Sequence, residues 1–185
     1  MIIIGITGTI GAGKGTLVEY LVKEKNFVHY SVRGFLIAEI TKQNLPVNRD
    51  SMVVVANQLR EKNTPSYIID CLFEEAKQCG KNAVIESIRS VGEVEALRKK
   101  DNFYLLAIDA DPKIRYERIV KRNSETDSVS YSEFLANEQR EMNATDPNKQ
   151  NLNRCIEMAD YRLYNNSSIN ELYEEVKEFI KLKNL

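Results

Sequence analysis

A glycine-rich segment near the start of the chain has the residue types and spacing needed to hold a phosphate chain. Gly8 and Gly13-Lys14 have the spacing GxxxxGK, between an apolar run of strand length and a helical pattern. Glycines let backbone N–H groups turn toward phosphate oxygens, and the helix N-terminus adds unsatisfied donors and partial positive charge. Lys14 would reach the β- and γ-phosphates. The spacing predicts an ATP or GTP site, with contacts from Gly8, Gly11, Ala12, Gly13, Lys14, Gly15 and Thr16.

Other nucleotide-binding motifs do not fit this chain. A dinucleotide-binding GxGxxG frame cannot be completed, because lysine follows Gly13. A GTPase would need DxxG and NKxD, and the nearest match, residues 148–151, lacks the aspartate. The loop also departs from the usual pattern, since Gly15 stands where Ser or Thr normally meets Mg²⁺ and Thr16 comes one place later. Thr16 is therefore the predicted metal-side hydroxyl, bound either directly or through water.

Two segments carry a resemblance to a known family. The Gly-Lys-Gly-Thr ending of the loop resembles adenylate kinase and its nucleoside monophosphate kinase relatives, and Glu117–Arg122 resembles the segment that enters their lid. The resemblance implies that Arg118 and Arg122, which share one helix face, reach the ATP base and the transferring phosphoryl group. Planar arginine suits a transition state whose charge is spread over equatorial oxygens. The implied short lid covers about residues 122–140, and Arg140 returns on its far helix.

A second group of candidates lies on the predicted acceptor side. Glu86-Ser87-Ile88-Arg89 leaves a predicted strand at the carboxyl edge of the sheet, where ligands bind in open α/β folds. The segment resembles the Asp-Gly-x-x-Arg region of nucleoside monophosphate kinases, which implies that Arg89 binds the acceptor phosphate and that Glu86 lies near Mg²⁺ or the acceptor. The helical region of about residues 31–80 is the predicted acceptor-binding region. It carries three candidate anion-binding arginines: Arg33, Arg49 and Arg60.

The segment Ala159–Ser167 resembles the last strand and following turn of dephospho-coenzyme A kinases. In such folds the loop beyond that strand approaches the adenine. The resemblance implies that Asn165 contacts the ATP base, although a β–α turn rich in Asn and Ser accounts for the same residues.

Strand-length apolar runs alternate with helical patterns along the chain. The predicted strands are residues 2–6, 28–31, 83–85, 103–108 and 161–164. Alternation of this kind predicts an α/β fold: a three-layer sandwich with a parallel five-stranded sheet, of P-loop kinase type with a helical acceptor-binding region and a short lid. The length of 185 residues favours a single domain over residues 1–185.

Composition excludes several classes of protein. A net charge of −1 argues against a general nucleic-acid or membrane-surface binder. One histidine, His29, excludes His-rich metal sites. The sequence has three cysteines without a CxxC pair, no signal peptide and no long apolar run. These features favour a reduced, cytoplasmic protein. No obligate protein partner is evident. Cys71 and Cys79 are expected to be buried or half-buried thiols.

Three functions remain open. The first is ATP- and Mg²⁺-dependent phosphoryl transfer to a small phosphorylated acceptor, a nucleoside or deoxynucleoside monophosphate, which needs no general base because its phosphate is already anionic near neutral pH. The second is dephospho-coenzyme A kinase activity, whose hydroxyl acceptor calls for a carboxylate base such as Glu86. That family places an aspartate shortly after its second strand, where this chain has Ser31, Val32 and Arg33, so the missing aspartate counts against this function. The third is a nucleotide sensor without turnover, which would leave Lys14, Arg118 and Arg122 unused.

Overall fold

The computed structural model describes residues 1–122, 129–146 and 148–183. Its strands are β1 (Ile3–Gly8), β2 (Val28–Ser31), β3 (Ala83–Glu86), β4 (Phe103–Asp109) and β5 (Tyr161–Tyr164). They form one sheet in the order β2-β3-β1-β4-β5, and every neighbouring pair is parallel. The predicted parallel five-stranded sheet is confirmed.

The helices lie where the helical patterns predict them. They are α1 (Lys14–Lys25), α2 (Val32–Lys42), α3 (Arg49–Lys62), α4 (Tyr67–Cys79), α5 (Val91–Arg98), α6 (Pro112–Arg122), α7 (Tyr131–Met142), α8 (Leu152–Glu157) and α9 (Ile169–Leu182). The helix α2 begins directly after β2, because the Ser31 hydroxyl accepts a hydrogen bond from the Gly34 amide and caps the helix. No helix in the described ranges is long and apolar enough to cross a membrane.

Two apolar clusters cover the two faces of the sheet and produce the three layers. Successive residues of β1 point to opposite faces, so Ile3 joins one cluster and Ile4 the other. The cluster around Ile3 contains side chains from α2, α3, α4, α5 and α8. The cluster around Ile4 contains side chains from α1 and α9. The expected three-layer sandwich is confirmed.

The carboxyl ends of the central strands meet at one edge of the sheet. The register pairs Ile6 with Glu86 and Gly8 with Ile108, so the loops after β1, β3 and β4 emerge side by side. The helices α6 and α7 flank residues 123–128 of the predicted lid, which lie outside the described residues. Rings of Tyr116 on α6 and Phe134 on α7 lie 5.6 Å apart and join the two helices.

The cysteines differ in part from expectation. Cys71 is half-buried as predicted, but Cys79 is exposed. Cys79 is the last residue of α4, beside the left-handed C-cap Gly80, so the end of the helix leaves it uncovered.

Candidate active site

The loop between β1 and α1 adopts a conformation that requires glycine. Gly13 has φ 107° and Gly8 has φ 142°, in the region that L side chains rarely enter. A Cβ on Gly13 would lie 2.3 Å from Asn165 Nδ2, and one on Gly8 would lie 2.0 Å from the Ile108 carbonyl oxygen. The loop therefore lies directly against the ends of β4 and β5, and no larger side chain fits at these two places.

Lys14 is tied to the loop that precedes it. Its Nζ donates to the carbonyl oxygens of Gly8 at 2.9 Å and Thr9 at 2.8 Å. Burial, with a further contribution from the charge of Arg89, lowers the pKa of Lys14 from 10.5 to about 7. An amine at a helix N-terminus is suited to receiving phosphate oxygens, which favour its charged form.

Asn165 connects the loop to the end of the sheet. Its Nδ2 donates to the Ala12 carbonyl at 2.8 Å, and its Oδ1 accepts from Arg118 Nη2 at 3.4 Å. Arg118 Nη1 is buried and makes no hydrogen bond within the described residues. The structure thus brings together two residues that the sequence places 47 positions apart.

Arg115 is not among the candidates that the motifs and the resemblance identify, yet it contacts the phosphate-binding loop. It is buried on α6, where Nε donates to the Ala110 carbonyl at 2.7 Å and Nη1 donates to the Ile10 carbonyl at 3.2 Å. Nη1 also lies 2.6 Å from Glu138 Oε1 on α7. Arg115 therefore links the phosphate-binding loop to both helices of the predicted lid. Its place three residues before Arg118 on the same helix is the signal that could have identified it.

Glu86 ends β3 at the edge of the sheet and has polar neighbours on β2. The Ser31 hydroxyl donates to Glu86 Oε1 at 2.8 Å, and His29 Nε2 lies 3.9 Å from the same oxygen. Ser87, whose hydroxyl donates to the other carboxylate oxygen, has φ 68°. A non-glycine residue in this region carries backbone strain of the kind that collects at functional sites.

Glu141 holds two of the predicted acceptor arginines. Its carboxylate lies 2.5 Å from Arg49 Nη2, and its second oxygen accepts from Arg89 Nη1. Burial acts to raise the pKa of Glu141, but the charges of Arg89 and Arg49 outweigh it and hold the pKa below its usual value. Sequence reasoning selects its neighbour Arg140, which instead lies at the surface, 3.3 Å from Asp50. No local signal distinguishes these adjacent charges.

Arg60 and Arg33 have different surroundings from Arg49. The side chain of Arg60 is 2% exposed, and its Nη2 lies 2.8 Å from Glu93 Oε1, on a side chain with no exposure. The structure therefore places this guanidinium in an internal ion pair between α3 and α5, and a role of Arg60 in acceptor binding stays a prediction. Arg33 is exposed, with its Nη1 3.6 Å from Met52 Sδ.

A cavity of about 920 Å³ collects most of the candidate residues. Its size suits a bound small molecule. Candidates that line it are Gly11, Gly13, Lys14, Gly15, Thr16, Arg33, Arg49, Arg60, Glu86, Arg89, Arg118, Arg122 and Asn165. Gly8, Ala12 and Arg140 are not among the described residues that line it.

A parallel sheet with a GxxxxGK loop between β1 and α1 defines the class of P-loop kinase-like proteins. Solved kinases share the fold. A sugar kinase from Janibacter sp. HTCC2649 has a TM-score of 0.58 at 13% identity, with 98% of this chain and 95% of that chain covered. The shikimate kinase from Bacteroides thetaiotaomicron has a TM-score of 0.55 at 10% identity, with 100% and 99% covered.

Sequence relatives give the family. A family model described as an AAA domain, AAA_18, matches residues 4–144. A UPF0200 protein from Methanococcus maripaludis strain C7 is 32% identical over 184 residues, which cover 98% of this chain and 97% of the relative. The chain therefore belongs to the AAA_18 family of AAA domains and to the UPF0200 proteins. The resemblance to P-loop kinases, stated from the sequence, is confirmed.

Proposed function

We propose that this protein transfers the γ-phosphoryl group of ATP to a small phosphorylated acceptor, a nucleoside or deoxynucleoside monophosphate. The observation that supports it best is the arrangement of cations in one cavity. Lys14 lies at the phosphate-binding loop, while Arg49 and Arg89 lie on the acceptor side and share the Glu141 carboxylate. Cations on both sides suit two anionic substrates. The proposal includes a cytoplasmic setting and no nucleic-acid, membrane or obligate protein partner.

The residues of the loop fit MgATP. Gly13 lets the loop pack closely against Asn165 without a side chain between them, and Lys14 lies at the N-terminus of α1, where backbone donors favour phosphate oxygens. Thr16 and Glu86, which both line the cavity, would hold Mg²⁺ together with the phosphates and water. The bound nucleotide supplies the phosphoryl group. Asn165 and Arg118 would contact its base.

The protein's own part in the reaction is positioning and charge neutralisation. An acceptor phosphate oxygen forms a bond to the γ-phosphorus as the bond from that phosphorus to the bridging oxygen breaks, and ADP leaves. Lys14, Arg118 and Arg122 would neutralise the charge that spreads over the equatorial oxygens. No proton has to be removed, because a phosphate monoester has a second pKa of about 6.

A hydroxyl acceptor such as dephospho-coenzyme A is the second candidate, and one observation favours it. Glu86 lies beside Ser31 and His29 at the end of β3, where a carboxylate could take the proton from a hydroxyl. Three cations on the acceptor wall, Arg33, Arg49 and Arg89, favour the phosphate acceptor more strongly.

The two candidates are separated by incubating the protein with ATP and Mg²⁺ against the common ribo- and deoxynucleoside monophosphates and dephospho-coenzyme A. We expect ADP release and a phosphorylated product with one or a few of the monophosphates. Turnover of dephospho-coenzyme A alone would move the reaction to a hydroxyl acceptor and make Glu86 the base. Measurable ATP binding without turnover of any acceptor would favour a nucleotide sensor.

The lowered pKa of Lys14 predicts proton uptake when MgATP binds. Above about pH 7 the nucleotide-free protein holds Lys14 as a neutral amine, and phosphate oxygens favour its charged form. Affinity is therefore expected to fall as pH rises from 7 to about 9, by at most about tenfold per pH unit. Calorimetry in two buffers of different ionisation enthalpy measures the proton taken up.

The matched control for that experiment is Lys14→Arg, whose side chain stays charged throughout this pH range. It should bind MgATP without proton uptake at this position. A wild-type affinity that stays constant between about pH 7 and 9 would contradict the proposed titration of Lys14.

A further inference from the structure

Three separate elements meet at the Arg49–Glu141–Arg89 cluster, by which we mean these three side chains. Arg49 is the first residue of α3, Arg89 lies in the loop after β3, and Glu141 belongs to the last turn of α7. All three line the cavity. The cluster therefore closes one wall of the cavity by a contact between the acceptor-binding region and the second lid helix.

The carboxylate in this cluster is more deeply buried than the arginines that hold it. The side chain of Glu141 is 6% exposed, against 21% for Arg49 and 22% for Arg89. Both of its oxygens are used, one by each arginine. A buried carboxylate held by two forked cations has the charge and hydrogen-bond pattern of a bound oxyanion.

Not every donor of the arginine pair is satisfied by Glu141. Arg49 Nε is buried and makes no hydrogen bond within the described residues. A carboxylate has two oxygens, whereas a tetrahedral oxyanion has a third that could accept from this donor as well as from both guanidinium groups. The pair therefore suits a tetrahedral oxyanion better than the carboxylate that it holds.

We propose that Arg49 and Arg89 form a tetrahedral-oxyanion site and that Glu141 is its internal occupant, displaced when the ligand binds. The inference rests on the proposed function, in which the oxyanion is the phosphate of the acceptor. Because the site is open in only a fraction of molecules, the apparent dissociation constant is raised by the reciprocal of that fraction. Displacement breaks one contact between the last turn of α7 and α3, that of Glu141 with Arg49, while the contact of Arg140 with Asp50 remains.

The test compares sulfate and methanesulfonate, which have similar tetrahedral shapes but carry two charges and one charge, by calorimetric titration into nucleotide-free protein. Glu141→Gln should bind sulfate about tenfold or more tightly than the wild type does, as expected for removal of a competitor. Because a displaced carboxylate opposes both ligands equally, methanesulfonate should gain by the same factor. Asp50→Asn removes the negative charge from the neighbouring Arg140–Asp50 pair and should leave both affinities unchanged.

A double variant locates the gain. Arg49→Gln combined with Glu141→Gln should lose it, because one of the two guanidinium groups that would bind the sulfate is then missing. Sulfate should also raise the thermal midpoint of Glu141→Gln more than that of the wild type, which shows that the variant is folded and that the ligand binds the folded state.

Two results would overturn the proposal. Unchanged or weaker sulfate binding by folded Glu141→Gln would make Glu141 a positioning residue that shapes the arginine pair. A carboxylate that stays in place repels both charges of sulfate but only the single charge of methanesulfonate. A gain for sulfate that is the square of the gain for methanesulfonate would therefore show that Glu141 stays in place and only repels the ligand. Phosphoryl transfer is not measured, so a failure here is distinguishable from a failure of the proposed kinase activity.

Discussion

Replacement of Lys14 by alanine is expected to lower the rate of phosphoryl transfer by about 10²-fold or more, as loss of one charged transition-state contact does in other enzymes. Lys14 lies at the N-terminus of α1, and its Nζ is already held at the mouth of the loop by the carbonyl oxygens of Gly8 and Thr9. A cation fixed in this way needs little reorganisation when charge develops on the γ-phosphate. The measurement is steady-state ADP release with the acceptor found by the screen.

Lys42→Ala is the control for this experiment. Lys42 lies on the surface of α2, where its Nζ contacts Glu39 at 2.6 Å, so its removal should leave the rate unchanged. Lys14→Ala should unfold at the same denaturant concentration as the wild type or a higher one, because a buried cation with a lowered pKa is removed. If Lys14→Ala keeps full phosphoryl transfer, the assignment of the loop is falsified.

Replacement of Arg60 by alanine is expected to lower the free energy of unfolding by about 3–5 kcal/mol, the usual cost of removing one partner of a buried ion pair. Glu93 would remain buried with Oε1 unpaired, since its other oxygen caps α5 through the amides of Arg89 and Ser90. Urea unfolding followed by circular dichroism measures the loss.

The matched control is Arg154→Ala. Arg154 contacts Glu157 at 2.8 Å, but both side chains are more than half exposed, so its removal should change the free energy of unfolding by less than about 1 kcal/mol. If the Arg60→Ala protein is as stable as the wild type but binds the acceptor more weakly, Arg60 binds the acceptor and does not stabilise the fold. The two variants thus distinguish a structural arginine from a binding one.

The elements of the fold could be read from the sequence because their signals are local. The five strands are short apolar runs, and the helices show amphipathic spacing with capping residues such as Ser130 and Ser168. The phosphate-binding loop is also local, since its GxxxxGK pattern from Gly8 to Lys14 spans seven consecutive residues. Parallel strands covered by helices on both faces allow few topologies, so these elements are enough to predict the class of fold.

The roles of the arginines were not predictable in the same way, because each depends on a partner far away in the chain. Arg60 meets Glu93 across 33 residues, and Arg49 meets Glu141 across 92. Arg140 and Glu141 are adjacent on α7, yet the turn of the helix sends one toward the surface and the other into the cavity.

Local residue patterns are enough to predict the order of the elements, the class of fold and the phosphate-binding loop, because residue pattern and backbone requirement coincide within a few positions. The residue pattern does not show which charges face the cavity and which neutralise one another. That choice depends on packing α3, α5 and α7 against the edge of the sheet, where a buried charge must find a partner in space whatever its distance along the chain.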